Sequence, residues 1–273
     1  LSDSTSLIDP EKEKLQKEEF QRAFMEAAKK LKREEELAEK PFWDHFDELR
    51  GRFTTCLWAI LVGTSIAYYF REPLLIFLKQ PLFDVLPEDA RHLVFTGVFE
   101  SFTTSLKVSA IMGFFLSLPF IFHQAWGFIS PGLHERERKL ALPFVFAGTF
   151  FFVLGAAFAY YFVFPHGFKF MIEFGAPQQD IPMISVSEYF GLIFRLFLLF
   201  GIAFEFPVAL MFLAKVGLVN VKMLRENRRT ALIAIAFVSA ICAPPDALSM
   251  IFMMIPLYFF YEGVIFLIGL KKK

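Results

Sequence analysis

Long apolar runs, separated by short charged knots, constrain this chain more than any other feature. They occupy residues 53–70, about 102–128, 140–164, 189–213, 230–243 and 247–270. A run surrounded by hydrocarbon has to satisfy its own backbone N–H and C=O groups, which leaves helices or closed barrels. None of the runs shows the period-two alternation of a barrel strand, and most approach the roughly 20 residues needed to cross about 30 Å of hydrocarbon. Composition agrees: 56% of residues are hydrophobic, 39 are Phe, and mean hydropathy is +0.50. The predicted fold is an all-α polytopic membrane protein with six transmembrane helices. The fifth run covers only about 21 Å as a helix. Pro244-Pro245-Asp246 closes it, and Pro256 and Glu262 interrupt the sixth. The last two helices are therefore predicted to be short, a tight hairpin whose tip stops below the far surface and makes the bilayer thin or the hairpin hide in an assembly.

The polar segments divide the chain into two predicted domains, a leader over 1–41 and a membrane domain over 42–273. Residues 1–10 are Ser- and Asp-rich, and residues 11–40 are dense in Glu, Lys and Ala. Leu15, Phe20, Phe24, Ala27, Ala28 and Leu31 form a thin apolar stripe, with Glu18–Arg22 and Glu26–Lys30 in the favourable i,i+4 order. That pattern is a solvated amphipathic helix, or one docked on a membrane or partner. The leader has no signal-peptide pattern. Residues 71–99 hold two Pro-punctuated segments too short to span, predicted as a cap outside the bilayer. Pro165 closes the third run, and residues 166–187 read as an exterior loop. Arg50, Arg52, Arg136, Arg138, Lys139, Lys215, Lys222, Arg225, Arg228, Arg229 and Lys271–Lys273 crowd one side, against Arg71, Lys79, Arg91, Lys107 and Lys169 on the other. By the positive-inside rule both termini are cytoplasmic.

No catalytic pattern emerges: the chain lacks a nucleophile elbow, a zinc helix and a phosphate loop, so it is not predicted to be an enzyme. No cofactor and no metal are expected. Cys56 and Cys242 both lie within apolar runs, which favours packing over a disulfide. Zero net charge argues against a nucleic-acid partner.

Two charged knots remain, Asp44-His45-Phe46-Asp47-Glu48-Leu49-Arg50-Gly51-Arg52 and His134-Glu135-Arg136-Glu137-Arg138-Lys139. Glu48 and Glu137 fall at helix entrances on the same predicted side. Two carboxylates on one face are natural partners for two guanidiniums, each able to form a bidentate fork. The competing reading pairs Glu48 with Arg52 at i,i+4 and leaves Glu137 solvated. Glu205 stands within an apolar run, where an ionised acid is costly without a partner. It is either a structural residue, protonated or internally hydrogen-bonded, or a polar socket for another protein's helix, or a proton site. Arg195 is expected to pair with Glu188, and Glu100 could pair with Lys107, each seven residues apart. Asp246 is expected to cap the sixth helix.

His45-Phe46-Asp47-Glu48-Leu49-Arg50-Gly51-Arg52 resembles the His-Leu-x-Glu-Leu-Arg-x-Arg opening of the TatC family, the receptor subunit of the twin-arginine protein translocase. Trp126-Gly127-Phe128-Ile129-Ser130-Pro131-Gly132-Leu133 with Glu137-Arg138 resembles its first cytoplasmic loop. Phe164-Pro165, Phe204-Glu205-Phe206-Pro207 and Pro244-Pro245-Asp246 follow in order. The resemblance implies a cupped six-helix fold in the bacterial cytoplasmic (inner) membrane. It also implies recognition of twin-arginine signal peptides at the cytoplasmic face through Glu48 and Glu137, with Arg50, Phe128 and Leu133 at the same site. Glu205, Pro81 and Asp246 match positions tied to partners or translocation. The implied partners are single-span TatA- and TatB-type subunits, the lipid bilayer and further copies of the chain, with transport of folded cargo driven by the proton motive force. The alternative is a secondary transporter or proton-coupled carrier centred on Glu205, a class that usually shows internal repeats, and no clear repeat is visible between the halves.

Overall fold

Small residues, more than the many phenylalanines, set how closely the helices of this chain approach. The computed structural model describes residue 25 and residues 46–88, 91–130, 141–175, 183–242 and 247–270. Two units separate at Arg52/Phe53. The expected domain boundary at 41/42 lies outside the described residues.

The described elements are helical. They are α1 (Phe46–Tyr69), α2 (Arg71–Phe83), α3 (Glu100–Ile129), α4 (Ala141–Phe158), a π-helical turn (Ala159–Val163), α5 (Phe164–Gly175) and α6 (Val186–Phe204). Then come α7 (Phe206–Lys215), α8 (Val221–Glu226), α9 (Arg228–Cys242) and α10 (Ala247–Leu270). A Cβ added to Gly113 of α3 would overlap the Thr64 backbone, and Ser117 Oγ donates to the Ala59 carbonyl at 2.9 Å. Such close approach is how helices associate where lipid gives no hydrophobic drive. Helix α6 is central, packing on α3, α4, α9 and α10, and its Phe190, Ile193 and Phe200 are fully buried. Outward, Trp58, Phe146, Phe150, Ile233, Phe237 and Phe259 are exposed, an apolar surface suited to lipid.

Four stretches are long and apolar enough to cross a bilayer, 100–129, 141–173, 186–215 and 247–270. Helices α1 and α2, bent by 85°, make a fifth if taken together. Helix α9 has 15 residues, as short as the sequence predicts. The sixth helix is not short: α10 runs for 24 residues through Pro256 without interruption. A proline inside a packed apolar helix costs one hydrogen bond and need not end it. Nor does Glu262 break it, because Arg228 Nη2 donates to its Oε2 at 2.7 Å.

The expected cap over 71–99 contains a true helix. Pro81 lies inside α2, and its missing N–H would leave the Phe77 carbonyl without a partner. Tyr160 Oη donates to that carbonyl at 2.6 Å, and Tyr189 Oη donates to the Leu78 carbonyl at 2.6 Å. Pro165 likewise fails to stop the third run. The π turn carries Phe164 N–H to Ala159 O, and helix continues over α5, where an exterior loop was predicted. Widening to an i→i+5 bond absorbs the donor that Pro165 lacks.

The carboxylate of Glu100 is buried and does not reach Lys107, since seven residues rise about 10 Å along a helix. It accepts bonds from Thr96 N–H and Oγ1, Gly97 N–H, Ser185 Oγ (2.8 Å) and Ser187 N–H (2.6 Å). Beside it, Val94 N–H donates to Ile184 O and Val186 N–H to Val94 O, a one-residue parallel bridge. These bonds tie the start of α3 to the start of α6. Replacing Glu100 by Ala orphans buried donors on both segments. Glu100→Ala is expected to lower the thermal unfolding temperature in detergent micelles well beyond a Glu173→Ala surface control, with Glu100→Gln in between.

Candidate functional site

Glu48 and Arg52 lie one turn apart on α1, so their side chains share a face. Arg52 Nε and Nη2 both donate to Glu48 Oε1, at 3.0 and 2.8 Å, and both side chains are about one-third exposed. The i,i+4 pair anticipated as the competing reading is therefore present. A partly exposed pair of this kind contributes about 0–1 kcal/mol, which an incoming guanidinium can match. Arg50 is exposed on the same helix, and Phe128 is half-buried near the end of α3. Glu137, Leu133 and Asp246 lie outside the described residues, as do the Pro244-Pro245-Asp246 turn and the capping role expected for Asp246. Pro81 is buried in α2, within the tyrosine-held segment described above.

Glu205 occupies the junction between α6 and α7. Pro207 at the start of α7 denies the Ala203 carbonyl its i+4 donor, and Glu205 N–H turns instead to Ile202 O at 3.1 Å. The broken helix presents the carboxyl to a groove of about 340 Å³ lined by Leu199, Phe206, Ala231, Ile235, Val238 and Leu257. Its Oε1 is buried and has no hydrogen-bond partner among the described residues. Among the described residues, then, no internal hydrogen bond satisfies the carboxyl at this oxygen. Arg195 offers no help. It is exposed, and among the described residues no ion pair joins it to Glu188, whose seven-residue separation places it about 10 Å along the axis.

Sequence reasoning missed the Glu100 clasp and the two tyrosine bonds to α2. Pro81 carried a signal for the second, because a proline implies an orphan carbonyl four residues earlier. The clasp joins positions 85 or more residues apart, and no local pattern announces it. Among the described residues no group of three or more His, Cys, Asp or Glu side chains is placed to hold a metal ion.

An unpartnered oxygen in an apolar groove destabilises the isolated protein. Glu205→Leu is expected to raise its unfolding free energy by about 1–2 kcal/mol, read from thermal or denaturant unfolding in micelles. A loss of stability would show instead that the carboxyl is used within the chain.

Comparison with known proteins places this geometry in context. Residues 44–256 match the family model of the Sec-independent protein translocase protein (TatC). The Sec-independent protein translocase protein TatC of Desulforapulum autotrophicum is 41% identical over 233 residues, covering 85% of this chain and 84% of that protein. Its counterpart in Magnetococcus marinus is 37% identical over 234 residues, covering 85% and 86%. A crystal structure of the twin-arginine translocase receptor TatC superposes with a TM-score of 0.69 at 33% identity, covering 84% of this chain and all of that one. The chain belongs to the TatC family of Sec-independent protein translocase proteins.

Proposed function

We propose that this protein is the signal-peptide receptor of a twin-arginine translocase, with Glu48 and Glu137 taking the two consecutive arginines of a cargo's signal peptide. The observation that supports it most directly is the Glu48–Arg52 fork. A partly exposed carboxylate already accepts a guanidinium through two nitrogens, the arrangement a ligand arginine would adopt on exchange with Arg52. Lysine, a single point charge without a planar fork, reproduces only part of that contact. Arg50, Phe128 and Leu133 complete the same site, with the charge of Arg50 setting its register and Phe128 and Leu133 covering the apolar part of the peptide.

The site lies at the cytoplasmic face of a bacterial inner membrane, on the side favoured by the lysine and arginine asymmetry. Single-span TatA- and TatB-type subunits pack against the α9 side, where the unpartnered Glu205 oxygen supplies a polar socket in an apolar wall. Pro81 and Asp246 serve assembly and translocation. The protein binds and assembles, and no bond of the cargo is made or broken. A carrier centred on Glu205 would use the same broken helix, but that class usually shows internal repeats, and no clear repeat is visible between the halves of the sequence.

Site-specific crosslinking in native membranes tests the receptor reading. A twin-arginine peptide is expected to label positions beside Glu48 and Glu137 at least tenfold more strongly than its Lys-Lys variant, a difference of about 1.4 kcal/mol. Glu48→Ala or Glu137→Ala removes the preference, and equal labelling of the two peptides contradicts the assignment. For Glu205, the Glu205→Ala protein is expected to recover less single-span subunit on purification while peptide labelling persists. Unchanged recovery together with unchanged export returns Glu205 to a structural role.

A further inference from the structure

Two cavities meet at the stacked pair Phe77 and Tyr160, whose rings lie 4.4 Å apart and 12° from parallel. Both are lined by Phe77, Tyr160 and Tyr161. The first, of about 380 Å³, is an apolar slot whose further walls include Met112, Leu116, Val153 and Ala157. Leu116 and Val153 are exposed, so the slot opens on the apolar flank of the helices and not on their core. Along α3, Leu116 stands about 24 Å from Glu100, so the slot reaches deep into the hydrocarbon. The second cavity, of about 460 Å³, sits at the helix ends, where Gln80, Pro81, Asp84 and Pro165 line it. The first chamber is lined almost wholly by apolar side chains, and the second adds the polar groups of Gln80 and Asp84 to an apolar wall. Together they have the division of a lipid into tail and headgroup.

The polar chamber also has a sign. Asp84 is the residue after the last turn of α2, at the negative end of the helix dipole, where its own N–H bonds Gln80 O and Arg91 Nε donates to Leu86 O at 3.3 Å. That last turn contains no basic side chain, and among the described residues no lysine or arginine pairs with Asp84. Its Oδ1 accepts one bond, from Gln80 Nε2 at 3.2 Å. A carboxylate at a helix C-terminus repels phosphate alone and favours an ammonium. The slot itself is held open by construction, since the Tyr160 hydroxyl is committed to the Phe77 carbonyl that Pro81 leaves free, and the π turn at Ala159–Val163 shapes the wall.

We infer that this paired cavity is a binding site for a phospholipid with a primary-ammonium headgroup, its acyl chain in the Leu116–Val153 slot and its ammonium on Asp84. The lipid belongs to the leaflet at the α2 end of the helices, opposite the Arg228–Glu262 pair. It fills the space between α2, α3 and α4 that side chains leave empty.

The test uses the full-length protein in phosphatidylcholine vesicles carrying trace phosphatidylethanolamine or phosphatidylglycerol, each spin-labelled near the acyl terminus. The fraction of label immobilised by the protein gives the relative association of each lipid. Phosphatidylethanolamine is expected to associate about threefold more strongly than phosphatidylglycerol. Asp84→Asn, an exposed change that leaves the fold alone, abolishes the difference. Ala157→Trp plugs the slot and reduces immobilisation of the ethanolamine lipid. Equal association of the two lipids in the unmodified protein, a preference for phosphatidylglycerol, or an ethanolamine preference that survives Asp84→Asn overturns the assignment. So does an Ala157→Trp protein that binds both lipids normally but loses a single-span partner, because the slot would then hold a protein helix.

Discussion

A carbonyl without a donor is a minor matter in water and a serious one in hydrocarbon, and the prolines of this chain create several. Pro81, Pro165 and Pro207 each strip a partner from the peptide four residues before, and each is answered differently. Tyr160 reaches across to Phe77 O, a π turn widens the ladder before Pro165, and at Pro207 the helix breaks and restarts. These answers shape the molecule. The tyrosine bonds hold α2 against the neighbouring helices, and the break at Pro207 leaves Glu205 at a junction, not in a continuous helix face.

Charge follows the same economy, with one exception. Glu48 engages Arg52, Glu262 engages Arg228, and Glu100 collects donors from two distant segments. Glu205 Oε1 alone among these acids has no partner within the described residues and faces an apolar groove. A buried carboxyl oxygen without a partner costs the chain stability. The contrast separates a Glu100 that joins two distant segments of the fold from a Glu205 that joins none among the described residues.

Much of this was legible in order along the sequence. Runs too apolar for a soluble core gave helices, the shortness of 230–243 gave a short α9, and the Glu48–Arg52 spacing gave their fork. Pair expectations across seven residues failed for Glu100 and for Arg195 because such residues share a face but sit about 10 Å apart along it. The proline rule misjudged α2, α5 and α10 for a related reason. A proline forbids one hydrogen bond, and whether a helix ends there depends on whether another group takes over the freed carbonyl.

The sequence by itself determined that the apolar runs are helical and suited to lipid, because runs of that length without period-two alternation leave the backbone the helix as its way to satisfy its polar groups. It also determined the family, through motifs that read in order. Only the tertiary structure decided which acids are partnered, where the helices bend, and where space stays open between them. Those outcomes depend on side chains meeting across tens of residues of intervening chain, as Glu100 meets Ser185 and Tyr160 meets Phe77, and no local pattern carries that distance.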